Sequence, residues 1–77
     1  MDKLMVNRAI RLLSIYDRLL SGQLIDKKEA AYEFGVDTRT IQRDFDDIRA
    51  YLSEINDRKR ELIYDRNRKG FVMVQRS

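Results

Sequence analysis

The stretch Asp26-Lys27-Lys28-Glu29-Ala30-Ala31-Tyr32-Glu33-Phe34-Gly35-Val36-Asp37-Thr38-Arg39-Thr40-Ile41-Gln42-Arg43 decides how this chain folds. Asp26, with Glu29 three residues on, has the form of a capping box and starts a helix over about 27–34. Gly35 suits the left-handed residue that closes such a helix. Asp37 is a good N-cap, because its carboxylate accepts orphan N–H groups at the positive end of a helix dipole. A second helix then runs over about 38–54. Two short helices joined by three or four residues that include a glycine make a helix-turn-helix. Ala31 is small where the helices must cross, Gly35 follows four residues later, and Ile41 six residues after that points inward.

On a helical wheel at about 100° per residue, Ile41, Phe45, Ile48 and Leu52 form one apolar stripe. Arg39 and Arg43 fall at the opposite pole, flanked by Thr40 and Gln42. Arg pairs with guanine O6 and N7 in the major groove, and Gln with adenine. Recognition helices use their N-terminal residues for such contacts. Arg39, Thr40, Gln42 and Arg43 are therefore the side chains expected at base edges. Asp44, Asp46 and Asp47 lie further along, where the helix would leave a groove. A structural role suits all three: Asp46 and Asp47 pairing with Arg43 or Arg49, and Asp44 orienting a basic neighbour.

Working outward, Ala9, Ile10, Leu12, Leu13, Tyr16, Leu19 and Leu20 recur at helical steps before Gly22, which predicts a first helix over about 7–21. Its start is open between an Asn7 cap and an extension through Leu4 and Met5. After a polar loop, Leu62-Ile63-Tyr64 and Phe71-Val72-Met73-Val74 are β-favouring runs. The link Asp65–Gly70 offers Asn67 and Gly70 for the bend, so a hairpin is expected over about 61–75. An isolated hairpin is marginal in water and must pack on the helices. The predicted fold is mainly α with a small β-hairpin: three helices followed by a two-stranded wing, a winged helix-turn-helix, as one domain over 1–77. Tyr16 and Tyr64 suit core positions, and Tyr32 and Tyr51 partly exposed ones.

Charge is unevenly spread. Residues 1–57 carry a balance of −2 and residues 58–77 one of +5, within a net +3. Such a basic end fits an anionic partner met at one place, or a solvated tail. Arg66, Arg68 and Lys69 sit at the hairpin tip, and Arg58, Lys59 and Arg60 in the loop before it. Either group suits a phosphate backbone or a minor groove. Lys27 and Lys28 open the second helix, where N–H groups and positive charge favour a phosphate, although ordinary exposed lysines account for them equally. With no Cys and no His, neither disulfides nor a zinc site are expected, and nothing points to a cofactor. No Gly-rich phosphate loop or paired nucleophile and base suggests an enzyme. The longest apolar run has four residues, too few for a membrane span or signal core, so a cytoplasmic, nucleoid-associated location is expected.

The runs Lys27–Val36 and Thr38–Arg49, followed by Ile63-Tyr64-Asp65-Arg66 and Lys69-Gly70-Phe71, resemble the N-terminal DNA-binding domain of WYL-domain regulators, relatives of DeoR-type bacterial repressors. The resemblance spans about 11–74, with Tyr32 and Asp37 departing from the usual acidic residue and Ser. It implies double-stranded DNA as partner, read by Thr38, Arg39, Thr40, Gln42 and Arg43, with Arg66, Arg68 and Lys69 on the wing. It also implies a homodimer, assembled through a C-terminal effector domain. The sequence stops just after the wing, so an excised domain is expected, a stand-alone regulator being the alternative. The competing class is a winged-helix protein-interaction module that reads no DNA.

Overall fold

The computed structural model describes residues 7–75. Its elements follow the order α1 (Arg8–Leu20), α2 (Lys27–Phe34), α3 (Thr38–Glu54), β1 (Arg60–Asp65) and β2 (Gly70–Gln75). This is the expected layout of three helices and a two-stranded antiparallel hairpin. Each helix starts at a side-chain cap. Asn7 accepts from the Ile10 N–H, Asp26 from Glu29 and Asp37 from Thr40. Asn7 is itself extended, so α1 begins at Arg8; the alternative start at Leu4 and Met5 lies outside the described residues. Gly35, at φ +68°, closes α2 in the left-handed region and turns the chain into α3. Among the described residues, no helix is long and apolar enough to cross a membrane.

The core gathers one face from every element: Ile15 and Leu19 of α1, Ala30 and Ala31 of α2, the predicted Ile41, Phe45, Ile48 and Leu52 of α3, and Leu62 and Phe71 of the hairpin. Phe45 stacks on Phe71 with ring centroids 4.2 Å apart, which joins the third helix to the wing. The sequence did not announce one further piece. Ile25, in the α1–α2 link, bridges to Phe71 with N–H and C=O each bonded at 2.8 Å. β2 is thus paired on both sides at its first residues, which anchors a hairpin that would be unstable alone.

Three ion pairs set α1 against its neighbours, Arg8 with Asp47 and two forked pairs. Arg11 forms a fork on Asp44, Nε to Oδ2 at 2.5 Å and Nη2 to Oδ1 at 3.1 Å, and both residues are buried. Asp44 does orient a basic neighbour, and that neighbour comes from α1. Arg18 grips both carboxylate oxygens of Glu33 at 2.8 and 2.5 Å and lies over the Phe34 ring.

Three expectations need correcting. Asp47 pairs with Arg8 of α1, not with Arg43 or Arg49, because its face of the helix turns toward α1. Tyr64 is half exposed: the register sets it opposite Phe71, where its ring meets Phe71 edge-on at the margin of the core. Asn67 lies in the hairpin bend as expected, but Gly70 already belongs to β2, and it is Lys69 that takes the left-handed conformation at φ +58°. Its N–H bonds the Asp65 carbonyl at 2.7 Å, and the Asp65 carboxylate accepts the Asn67 and Arg68 N–H groups. Gly70 has a different purpose. A Cβ there would lie 2.7 Å from Leu24 Cγ.

Gly70→Ala is accordingly expected to destabilise by about 1–3 kcal/mol, an overpacking cost. Leu24→Ala in the same chain should recover most of it, measured as urea midpoints. Equal losses with and without Leu24 would show that the close approach is not what excludes a side chain.

Candidate nucleic-acid interface

The N-terminal turn of α3 starts from Asp37. Its Oδ1 accepts both the backbone N–H and the hydroxyl of Thr40 at 2.8 Å. Those two bonds from Thr40, helped by the nearby Arg39 and Arg43 charges, hold the Asp37 carboxyl below its ordinary range. Burial of the Ile41–Leu52 stripe then turns Arg39 and Arg43 outward. Both are exposed, and neither is hydrogen-bonded or ion-paired to any described residue. Thr38 is exposed too. Thr40 is half-buried and committed to Asp37, on the side facing α1.

Gln42 is held from both ends. Lys27 Nζ donates to its Oε1 at 3.0 Å, and its Nε2 donates to Asp46 Oδ1 at 3.1 Å. Arg49 continues this chain by approaching Asp46 at 3.5 Å and donating to the Leu62 carbonyl of β1 at 3.2 Å. The Gln42–Asp46 link lies at i,i+4, a spacing visible in the sequence. The Lys27 contact crosses between helices and had no local signal.

An open concavity of about 420 Å³ lies beside this turn, lined by Lys27, Lys28, Thr38, Tyr64 and Lys69 among others. A second, of about 340 Å³, shares Lys27 and Thr38 and extends to Arg39 and Gln42. The two meet at Lys27 and Thr38, so the start of α2, the start of α3 and the base of the wing form one surface. Tyr64, expected in the core, brings a phenol to its edge. Lys27 sits 5.9 Å above the Phe71 ring, which keeps its ammonium at the opening. At the wing tip Arg66 and Lys69 are exposed without an acidic partner among the described residues. Arg68 is bound to Asp65 at 3.0 Å, and this bond is the leading cause of a lowered Asp65 pKa.

The loop basics are not part of that surface. Arg60 pairs with Gln75 at the far end of the hairpin, five residues from Asp65, or about 16 Å at strand rise. It is tied to Asp57 at 3.0 Å beside the end of α1, and Arg58 donates to Asn56. Lys59 follows the same loop. A hairpin separates its two ends by its own length, so Arg58, Lys59 and Arg60 cannot share a contact with Lys69.

Chemically, the surface offers the unengaged guanidinium fork of Arg39, three lysines and two hydroxyl groups to a partner rich in oxygen acceptors, with the fork of Arg43 one turn further along α3. Comparison with models of known families, with curated proteins and with solved structures finds no match to this chain.

The carboxyl groups around these turns carry a pH signature. Arg18 lowers the Glu33 pKa, the Lys59 N–H leads the lowering at Asp57, and Asp37 and Asp65 are lowered as described. A depressed folded-state pKa adds stability that is complete above the unfolded value and lost as pH falls through the folded one. The melting temperature should therefore hold level between about pH 7 and pH 5 and fall below about pH 4. Asp37→Asn keeps a capping oxygen but removes one titrating group, so its melting curve should show a shallower acid slope. An unchanged slope would remove Asp37 from the acid-sensitive set.

Proposed function

We propose that this chain binds double-stranded DNA sequence-specifically, as the DNA-binding domain of a bacterial transcription regulator. The observation that carries the proposal is that outward Arg39, with no hydrogen bond or ion pair among the described residues, shares one continuous surface with basic side chains of α2 and the wing, while Arg43 stands equally unbound one turn further along α3. The N-terminal half of α3 enters the major groove, with Arg39 and Arg43 facing base edges. Lys27, Lys28 and Lys69 meet phosphates on either side, and Arg66 and Arg68 extend that contact along the backbone or into the minor groove. The reading agrees with the resemblance to WYL-domain regulators and with a location at the nucleoid. A protein-interaction module would need apolar side chains on this face, where Thr38, Arg39, Gln42 and Arg43 stand.

Binding to a duplex selected from random sequence tests this, by fluorescence anisotropy across a salt series. Arg39→Ala or Arg43→Ala should cost about 1–3 kcal/mol on the selected duplex and relax preference at one base pair. Lys69→Ala should weaken selected and random duplexes alike and reduce the log–log salt slope by about 0.9. Equal losses on both duplexes for the Arg39 and Arg43 variants would defeat base reading. No binding at physiological salt would defeat DNA binding itself.

A further inference from the structure

From its reading turns onward, α3 sorts its polar side chains into a ridge and two flanks. With Ile41 at 0° on the wheel, the ridge of Arg39 and Arg43 stands at about 160° and 200°. Gln42, Asp46 and Arg49 lie on one flank, at about 80–140°. Thr40, Asp44 and Asp47 lie on the other, at about 240–300°. The first flank meets Lys27 of α2 and the Leu62 carbonyl of β1. The second faces α1, where Asp44 holds Arg11 and Asp47 holds Arg8.

Between this second flank and the start of α1 lies an open cleft of about 270 Å³, lined by Arg8, Arg11, Thr40, Arg43 and Asp44. It shares no residue with the two concavities on the α2 and wing side. Three guanidinium groups therefore border one hollow. Against them stand only Asp44 and the Asp47 partner of Arg8, so three bases less two acids leave a balance of +1.

We infer that this cleft is a second phosphate site, which takes one phosphate of the duplex backbone with Arg8 as the principal donor. The inference rests on the DNA reading proposed above. An α-helix about 10–12 Å across fills a major groove about 12 Å wide, so each of its flanks comes against a sugar-phosphate strand. Lys27 serves the flank of Gln42, and the Arg8 cleft serves the flank of Thr40.

Donor capacity supports this placement. The Arg8 side chain is 70% exposed, and of its five N–H groups one goes to Asp47 while the rest bond no described residue. Arg11 spends Nε and Nη2 on Asp44, and its Nη1 bonds no described residue. The Thr40 hydroxyl proton is already on Asp37, so the side-chain donors left in the cleft are all guanidinium groups. Both carboxylates bind arginines from the side, which holds the forks in place for an oxyanion. Arg43 borders both ridge and cleft, so its base contact and this phosphate lie side by side.

Fluorescence anisotropy of the intact chain on selected and random duplexes, across a salt series, tests the site. Arg8→Gln should weaken both duplexes alike, by roughly tenfold, and lower the log–log salt slope by about 0.9. Arg8→Lys, which keeps the charge but loses the fork, should keep the slope and recover part of the affinity. Arg58→Gln, the same change of charge in the distant loop, should bind like the parent. Methylphosphonates placed one at a time in the selected duplex locate the contact. The substitution that weakens the parent most on the α1 flank should cost Arg8→Gln nothing further. Parental binding and slope in Arg8→Gln, or equal methylphosphonate losses in both proteins, overturn the site while the DNA reading stands. A parent that binds no duplex rejects the DNA reading, and this site with it.

Discussion

Everything in this small domain hangs on the ring of Phe71. It stacks on Phe45 of α3, takes the edge of Tyr64 from β1, and exchanges both backbone bonds with Ile25 between α1 and α2. Lys27 and Arg49 each stand 5.9 Å above it. One residue therefore fixes the wing against α3, and also fixes the α2 lysine against both. In a chain of 77 residues only about 60% of the unfolded surface is buried. Few side chains can be spared for structure alone. Placing a hub at the first residues of β2 lets the same contacts that stabilise the hairpin position its basic base beside α3.

Charge is sorted by the same economy. A net charge of +3 is too small to make the whole surface basic. The acids near the reading turns are consumed internally instead. Asp37 caps α3, Asp44 is locked to Arg11, Asp46 holds Gln42 and Arg49, and Asp47 meets Arg8. Asp37 and Asp46 remain exposed, but each is bound within the chain, whereas Arg39 and Arg43 are not. The Arg11–Asp44 pair adds a second constraint, because removing one partner of a buried pair leaves an uncompensated charge at a cost of about 3–5 kcal/mol. It fixes how α1 crosses α3.

Much of this was legible in local pattern. Caps at Asp26 and Asp37, the left-handed Gly35 and the Ile41–Leu52 stripe are short-range signals, and each appears where the residues placed it, whereas the Asn7 cap was one of two starts that the residues left open. The direction of Arg39 and Arg43 followed from that stripe. What escaped the sequence was long-range. Nothing near Ile25 marks it as a strand partner of Phe71, and nothing near Asp47 names Arg8. The wing misled in a more instructive way. Asn67 and Gly70 both suit bends, but the Asp65 carboxylate organises the turn and leaves the strained position to Lys69, while Gly70 is needed for Leu24. Runs of basic residues also read as one patch in one dimension. In three dimensions the hairpin's length splits Arg58–Arg60 from Arg66–Lys69.

Donor capacity ranks the side chains in the first turns of α3. Arg39 and Arg43 each keep five N–H donors in a fixed fork, none of them engaged among the described residues, so meeting an outside acceptor costs them no intramolecular bond. Thr40 has already given its hydroxyl proton to Asp37 and can offer a partner only its lone pairs. Gln42 lies between these cases. One amide N–H goes to Asp46 and one oxygen lone pair to Lys27, which leaves one donor and one acceptor. Lys27 keeps two further N–H groups while bound to Gln42, so a phosphate can meet the lysine without releasing the amide. The two contacts are additive rather than competing. The clasp that looks like a restraint on Gln42 then serves to hold its remaining donor and acceptor in one orientation, and an amide already oriented loses less side-chain entropy when it pairs.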